Sequence, residues 1–211
     1  MDVEAEVEDK TRALNQMGVS RETRLKLEAY VDLLDRWRSI TNLISRSSWP
    51  NLWTRHIADS AQLFRLAPQA TRWVDLGSGA GFPGLIIAIL LSEKPGGMVH
   101  LVESDKRKTA FLTEAARIVS APVTIHSSRI DAAYSAIAAN PEVVTARALA
   151  PLAELVEMAA PFLRRGAIGL FIKGQNVHSE LTDAALSDSF SFNLIESATM
   201  PSGRIVRVVC K

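Results

Sequence analysis

The chain has 211 residues, of which 47% are hydrophobic and 22% charged; this balance is typical of one globular domain with a modest extension and excludes collagen-like, coiled-coil and low-complexity chains. Its 24 Lys and Arg nearly balance 23 Asp and Glu, giving a net charge of +1, so no overall field indicates a nucleic-acid or membrane partner. The one cysteine, Cys210, excludes an internal disulfide framework and a cysteine-rich zinc site.

The start of the chain and its apolar runs indicate the compartment. Residues 1–10 carry five acids and no apolar run, whereas a secretory signal needs a basic start and a continuous apolar stretch. The longest apolar run, residues 85–91, has seven residues, whereas a bilayer span needs about 20. We therefore expect a soluble cytoplasmic protein with no membrane partner, and its size makes a monomer the simplest expectation.

Residues 1–70 are predicted to be a helical N-terminal extension. Two series of residues recur at three- and four-residue steps: Leu27, Tyr30 or Val31, Leu34 and Trp37, then Trp53, His56, Ile57, Ser60, Ala61 and Phe64. Ser48 is a candidate N-cap for the second helix, with Pro50 in its first turn. Residues 10–70 hold ten Lys or Arg against five Asp or Glu. This excess is either the ordinary charged face of helices or a local nucleic-acid surface.

From residue 72 onward, short apolar runs alternate with helical stretches, which is typical of βα units around a parallel sheet. The predicted strands are residues 73–76, 98–102, 123–126, 143–146 and 167–172, and the predicted helices are 83–91, 106–120, 132–139 and 151–163. Residues 190–199 and 204–210, joined by a turn at 201–203, are predicted to form a β-hairpin. The expected fold class is therefore α/β, a mostly parallel doubly wound sheet with a C-terminal antiparallel hairpin, in a domain spanning residues 71–211.

A glycine-rich segment follows the first predicted strand. It reads Val74-Asp75-Leu76-Gly77-Ser78-Gly79-Ala80-Gly81-Phe82-Pro83-Gly84. Its glycines let the backbone approach a ligand closely, and ligands of open α/β sheets bind at the carboxyl ends of strands. A purely structural glycine turn is the plainer interpretation, but four glycines beside an acid favour a binding site.

The residues around this segment favour a cationic ligand over a dinucleotide. Residues 79–84 satisfy G-x-G-x-x-G, the dinucleotide fingerprint. However, Asp75 would place a carboxylate beside a pyrophosphate, and Pro83 removes an N–H from the helix start that would bind it. S-adenosylmethionine has a sulfonium, an ammonium and no phosphate, so Asp75 can attract it directly or through water. A nicotinamide oxidoreductase is the alternative on the same motif.

Three later positions complete such a pocket at the ends of the next strands. Glu103 is placed to accept both ribose hydroxyls, unless it is only an exposed acid. Ile130 and Asp131 follow the third strand, where an adenine would pack on Ile130 and donate to Asp131, although Asp131 is equally suited to N-capping a helix. Arg147 directly follows the fourth predicted strand, where the edge of the reaction centre is expected in this architecture.

Several motifs in order resemble the glucose-inhibited division protein B family of bacterial 16S ribosomal RNA (guanine-N7) methyltransferases. They are Thr41-Asn42-Leu43, Trp53-Thr54-Arg55-His56-Ile57-Ala58-Asp59-Ser60, residues 75–84, Val102-Glu103-Ser104-Asp105-Lys106-Arg107-Lys108, Arg129, Thr145-Ala146-Arg147-Ala148 and Ile172-Lys173-Gly174. The resemblance implies a class I, Rossmann-like methyltransferase with a seven-stranded sheet. It also implies S-adenosylmethionine as cofactor, and as partner the 16S RNA, either within the small ribosomal subunit or within an assembly intermediate.

By the same resemblance, the cofactor contacts are Gly77, Phe82, Ile130, Asp131 and Arg147, to which the residues themselves add Asp75, Gly79 and Glu103. The sequence departs from the family pattern at Ile130-Asp131, where Ala-Glu is expected. Methyl transfer to guanine N7 needs no general base, because N7 carries an in-plane lone pair and loses no proton. The catalytic hypotheses are that Arg147 positions the methionine end or guanine O6, and that Lys173 holds a phosphate or O6.

The remaining expectations concern histidines, RNA contacts and alternatives. His56 is interpreted as structural support or RNA positioning, and His100, His126 and His178 lack metal-ligand spacing, so no metal is proposed. The RNA-contact candidates are Arg36, Arg38, Arg46, Arg55, Arg164, Arg165, Arg204 and Arg207. Two other functions stay open: a methyltransferase of another small-molecule or protein substrate, and a non-catalytic RNA-binding or ribosome assembly factor.

Overall fold

The structure, a computed structural model, describes residues 3–137, 140–181 and 189–211. The described residues form a seven-stranded sheet in the order β3-β2-β1-β4-β5-β7-β6. The strands are β1 (Arg72–Leu76), β2 (Met98–Glu103), β3 (Val123–Ser127), β4 (Val143–Arg147), β5 (Ile168–Lys173), β6 (Phe190–Glu196) and β7 (Arg204–Cys210). The first five pair in parallel, whereas β7 runs antiparallel to both β5 and β6. The α/β, Rossmann-like fold prediction is confirmed.

Helices cover both faces of this sheet, and the strand order reverses between β1 and β4, so a crevice opens at the carboxyl ends of these two strands. The helices are α1 (Val3–Met17), α2 (Arg21–Trp37), α3 (Asp59–Leu66), α4 (Gly84–Leu91), α5 (Lys106–Val119), α6 (Ile130–Ala133), α7 (Leu152–Leu163) and α8 (Val177–Leu181). Within the described ranges, no helix is long and apolar enough to cross a bilayer.

The N-terminal helices share one hydrophobic core with one face of the sheet. That core joins Leu27 and Tyr30 of α2 to Ile57, to Trp73 of β1 and to the apolar helix α4. The fully buried Tyr30 donates its hydroxyl hydrogen to Ala80 O at 2.6 Å, so α2 fixes the glycine-rich segment directly. The division into residues 1–70 and 71–211 stays a prediction.

The segment between α2 and α3 differs from its prediction. Ser48 does not cap a helix: it is buried inside a 3₁₀ turn, Arg46–Asn51, and its hydroxyl lies 2.6 Å from Ser45 Oγ. A π-helical segment, Trp53–Ala58, then leads into α3. The amides of Trp53 and Thr54 donate to the buried carboxylate of Asp9 in α1, a partner 44 residues away from Trp53 that local spacing cannot reveal.

Two predicted element ends were also wrong. The helix expected at residues 132–139 is a single turn, Ile130–Ala133, within the described residues; residues 138–139 lie outside them. Strand β6 ends at Glu196 rather than residue 199, because the side chains of Ser197 and Thr199 hydrogen-bond to Asp59 of α3. The other predicted strands and the helices α4, α5 and α7 agree to within one residue at each end.

Candidate active site

The glycine-rich turn after β1 depends on backbone angles that favour glycine. Gly77 has φ +67° and Gly81 has φ +98°. A Cβ at Gly77 would lie 2.6 Å from Leu149 Cδ1, and one at Gly81 would lie 2.7 Å from Leu85 Cβ. These residues therefore allow the turn to pack closely between the loop after β4 and the start of α4.

A cleft of about 510 Å³ lies against this turn. The structure brings to it most of the predicted cofactor residues, namely Gly77, Gly79, Glu103, Ile130, Asp131 and Arg147. Asp131 is exposed, and its Oδ1 accepts from the Ala132 amide at 2.9 Å. The N-cap of α6 is Arg129 and Asp131 lies inside the helix, so the helix-cap role predicted for Asp131 is wrong, whereas its place on the cleft is compatible with an adenine contact.

Glu103, at the end of β2, is largely buried but still lines the cleft. It is 9% exposed, its Oε2 accepts from the Gly79 amide at 2.9 Å, and its Oε1 accepts from the Asp105 amide at 2.8 Å. Each carboxylate oxygen has a second lone pair. Glu103 therefore fixes the turn and can still accept from two hydroxyl groups in the cleft.

Asp75 requires a correction, because the structure does not place it on the wall of this cleft. It is 0% exposed; Oδ1 accepts from Thr145 Oγ1 at 2.8 Å and Oδ2 from the Gly84 amide at 3.1 Å. A Cβ at Gly84 would lie 2.6 Å from Asp75 Oδ2, so this packing leaves no room for a ligand. The role that the geometry supports for Asp75 is to join β1, β4 and the start of α4.

Phe82 also lies away from the cleft. Its ring packs edge-on to Tyr30, with centroids 5.7 Å apart, and at 5.0 Å from the His56 ring. Phe82 is buried, and a cis peptide bond joins it to Pro83. Its contacts therefore connect the glycine-rich turn to the N-terminal helices.

Burial raises the pKa of Asp75 from 3.8 to about 7, although hydrogen bonds from Thr145 and Gly84 act in the opposite direction. Between about pH 4 and 7 the folded protein therefore holds a proton that the unfolded chain has released. The free energy of unfolding should fall as pH rises through this window, by up to about 1.4 kcal/mol per pH unit, and then stay level.

Asp75→Asn removes this titration and keeps a neutral, similarly shaped side chain. In urea unfolding at pH 5, 6, 7 and 8, the stability of Asp75→Asn minus that of the unsubstituted protein should rise up to about pH 7 and then stay level. A difference that does not change with pH would show that Asp75 is ionised throughout.

Arg147, at the end of β4, forms the wall between this cleft and a second cavity. Its side chain is 16% exposed. One guanidinium nitrogen donates to His56 Nδ1 at 2.9 Å, and the other donates to Arg55 O at 2.7 Å and lies 3.6 Å from Asp59 Oδ2. The π-helical segment and the start of α3 thus hold Arg147 in one orientation.

His56 is neutral in this arrangement. Burial, followed by the charges of Arg147 and Arg55, lowers its pKa to about 3. Because a guanidinium only donates, His56 Nδ1 accepts and its proton resides on Nε2. That Nε2 is buried with no hydrogen-bond partner among the described residues. His56 therefore positions Arg147 and does not serve as an acid near pH 7, in agreement with its interpretation as structural support.

Asp59 is a residue of this site that the sequence reasoning did not single out. It is buried, and its Oδ1 accepts from Gln62 Nε2 at 2.7 Å, Thr199 Oγ1 at 2.7 Å and Ser197 Oγ at 3.2 Å. The acid thereby connects α3, the hairpin loop and Arg147. The available signal was its place in the motif Arg55-His56-Ile57-Ala58-Asp59-Ser60.

The second cavity has a volume of about 550 Å³ and adjoins the cleft at Arg147 and Ala148; we call it the acceptor cavity. Lys173 lies here and not in the cleft. Its Nζ donates to Ala150 O at 3.1 Å and is 2.7 Å from Glu180 Oε2. Arg55 and Asp59 also line this cavity.

The start of α4 is poorly suited to a pyrophosphate. Pro83 precedes the helix, the Gly84 amide donates to Asp75, and the Leu85 amide donates to Gly81 O. Neither of these two amides is free for a phosphate to accept from. Within the described ranges, no group of three or more His, Cys, Asp or Glu is arranged to hold a metal ion.

Comparison with known proteins identifies the family. Residues 23–206 match the GidB family, described as rRNA small subunit methyltransferase G. A ribosomal RNA small subunit methyltransferase G of Methylorubrum extorquens is 49% identical over 199 residues, 94% of each chain. One of a Bradyrhizobium species is 48% identical over 202 residues, 96% of this chain and 91% of that one.

A solved structure supports the fold assignment. Cofactor-bound Rv0187 from MTB superposes with a TM-score of 0.64 at 15% identity, covering 87% of this chain and 89% of that chain. This likeness concerns the fold alone, whereas the family match and the two relatives extend over most of the sequence. The chain belongs to the rRNA small subunit methyltransferase G family.

Proposed function

We propose that this protein transfers the methyl group of S-adenosylmethionine to N7 of one guanine in 16S ribosomal RNA. The observation that supports this most directly is the pair of adjoining cavities that share Arg147. One cavity has the residues expected around a nucleoside cofactor, and we propose that the other, of about 550 Å³, receives the base. We further propose that the enzyme acts as a monomer in the cytoplasm, on the free RNA, the small subunit or an assembly intermediate.

The described residues fit S-adenosylmethionine better than a nicotinamide dinucleotide. Glu103 offers carboxylate lone pairs to ribose hydroxyls, and Ile130 and Asp131 line the part of the cleft where the adenine is proposed to lie. At the helix start, the amides of Gly84 and Leu85 are already paired and cannot bind a pyrophosphate. When bound, S-adenosylmethionine supplies an electrophilic methyl group, which a neutral nitrogen such as guanine N7 can accept without losing a proton.

Catalysis by this chain is proposed to consist mainly of alignment. Arg147 is fixed by three partners at the junction of the two cavities, so it can orient a base in the acceptor cavity toward the cleft. His56 is neutral and adds no second positive charge beside the Arg147 guanidinium. The site would hold the acceptor nitrogen, the methyl carbon and the sulfur in line. The bound reactants then already have the geometry that the transfer needs, which lowers the entropic part of the barrier. The target base would have to leave its stack to enter the cavity.

A third cavity supplies a candidate RNA-contact surface outside the active site. It has a volume of about 800 Å³ and lies in the segment between α2 and α3. Arg38 and Arg46 line it, Arg38 lies 4.6 Å from the centre of the Trp49 ring, and no acid is among the described residues that line it. Asp35 pairs with Arg38 at 2.8 Å, so Arg46 is the lining cation to which the salt bridges of the described residues assign no acid. A cation beside an aromatic ring is suited to phosphates and unpaired bases of RNA.

Arg46 provides the test of this surface because its side chain is exposed. Arg46→Ala should weaken RNA binding by about 3- to 10-fold near physiological salt. Because one phosphate contact is lost, the slope of log affinity against log salt concentration should fall in magnitude by about one. Filter binding of 16S RNA over a salt series measures both, and affinity for S-adenosylmethionine should not change. Exposed Arg12 of α1 serves as control through Arg12→Ala; equal effects of the two substitutions would contradict a local surface.

The proposed function is tested by two measurements on the intact protein. Calorimetry should detect binding of S-adenosylmethionine and none of NADH, and the reverse result would favour an oxidoreductase. Incubation with methyl-labelled S-adenosylmethionine and either naked 16S RNA or small subunits should transfer label to RNA. Cofactor binding without labelled RNA in any substrate form would favour a different methyl acceptor, and absence of cofactor binding would favour a non-catalytic RNA-binding factor.

A further inference from the structure

An ion pair that the proposed chemistry has not used lies on the acceptor cavity. Lys173 of β5 and Glu180 of α8 are paired at 2.7 Å, with side chains 11% and 25% exposed, and both line the cavity. The Leu152 amide at the start of α7 also donates to Glu180 Oε2, at 2.6 Å. Three elements of the fold therefore fix the position of this carboxylate.

The two oxygens of Glu180 are used unequally. Oε2 accepts from both Leu152 N and Lys173 Nζ, whereas the hydrogen bonds within the described residues include none to Oε1. The pair thus presents to the cavity an acceptor, Oε1, next to a donor, the Lys173 ammonium, which has three hydrogens and donates one to Ala150 O.

This combination matches one face of guanine. Its Watson–Crick edge carries two adjacent donors, N1–H and the N2 amino group, next to the acceptor O6, and RNA-binding proteins recognise unstacked bases along such edges. Oε1 has two lone pairs and can accept from both donors, while the Lys173 hydrogen that neither Ala150 O nor Glu180 takes can donate to O6. Adenine has no N1–H and no N2 amino group, so it would leave the carboxylate without these donors. Contact along the Watson–Crick edge also leaves N7, on the opposite edge, free to face the cleft.

We propose that Glu180, supported by Lys173, recognises the Watson–Crick edge of the target guanine and makes the acceptor cavity specific for that base. This inference rests on the proposed function, since it requires methyl transfer to a guanine. The donors on the base contact Glu180, and Lys173 both orients Glu180 and contacts O6. The assignment adds a residue for base selection to the residues already proposed for the cofactor.

The test compares guanine and inosine at the methylated position of ligated 16S RNA, with the unsubstituted protein and with Glu180→Gln. Inosine keeps N7, O6 and N1–H but lacks the N2 amino group. The unsubstituted protein should methylate the guanine RNA about 10-fold faster than the inosine RNA in kcat/KM, since one hydrogen bond to a charged group is lost. Glu180→Gln should lower kcat/KM for the guanine RNA by about 30-fold or more, and the ratio of kcat/KM for guanine RNA to that for inosine RNA should fall toward one.

Two controls separate recognition from folding and from the proposed function itself. Glu180→Gln should bind S-adenosylmethionine as tightly as the unsubstituted protein, and Glu114→Gln, on α5 and paired with Arg117, should leave both rates unchanged. A rate loss in Glu180→Gln that is equal for guanine and inosine RNA would indicate only a structural role and overturn the inference. Failure of the unsubstituted protein to methylate guanine RNA would instead overturn the proposed function.

Discussion

Glu103→Ala should weaken binding of S-adenosylmethionine by about 100-fold or more, because two hydrogen bonds to a charged acceptor are lost in a largely buried site. The same change removes the acceptor of the Gly79 and Asp105 amides, so the glycine-rich turn loses support as well. Calorimetric titration of the intact protein with S-adenosylmethionine measures the effect.

A second variant separates the ligand contact from support of the turn. Glu103→Gln keeps the size of the side chain and one acceptor, and it should retain the fold while still weakening binding by about 10-fold. Glu157→Ala, at an exposed position of α7, is the matched control and should bind normally. If Glu103→Ala bound the cofactor with unchanged affinity, the cleft would not be the cofactor site.

Arg147→Ala should reduce the rate of methyl transfer by at least about 100-fold. It removes the side chain that separates the two cavities and that is proposed to orient the base toward the cofactor. It also leaves Asp59 without its cation, although Gln62, Ser197 and Thr199 still donate to that carboxylate. Some loss of stability is therefore expected. Single-turnover rates with saturating cofactor and RNA measure the loss independently of binding.

Comparison with Arg147→Lys distinguishes charge from geometry. A lysine keeps the positive charge but lacks the fork with which Arg147 contacts His56, Arg55 O and Asp59 together. The lysine variant should therefore recover stability, measured by thermal unfolding, more than it recovers rate. Retention of normal cofactor affinity and normal rate by Arg147→Ala would show that Arg147 has been assigned the wrong role.

Apolar runs predicted the inner parallel strands well because helices cover both of their faces, as in Val143–Arg147 and Ile168–Lys173, which are mostly buried. Short segments fixed by distant polar groups were predicted less well. Ser48 has the sequence features of a cap, yet the following amides are satisfied by Asp9. Helix α1, which carries Asp9, lies within the predicted helical extension, but its sequence pattern was not used to predict a separate helix.

The site shows the same limit. Glu103 and Arg147 end strands, and Gly77 follows one, at carboxyl ends that meet at one edge, so their placement in one crevice was predictable. Asp75 also ends a strand, but its lone pairs are taken by Thr145, 70 residues away, and by Gly84. Sequence spacing does not show which acids are satisfied internally. The Lys173–Glu180 pair likewise depends on the packing of α8 against α7 and β5.

The most direct measurement is identification of the modified nucleoside and its position. After reaction with methyl-labelled S-adenosylmethionine, 16S RNA should yield label in 7-methylguanosine upon complete digestion, and partial digestion should place that nucleoside at a single site. The Arg147→Ala protein, tested in parallel, should yield little or none. Label in another nucleoside, at many scattered guanines, or only in protein or small molecules would contradict methyl transfer to N7 of one guanine in small-subunit ribosomal RNA.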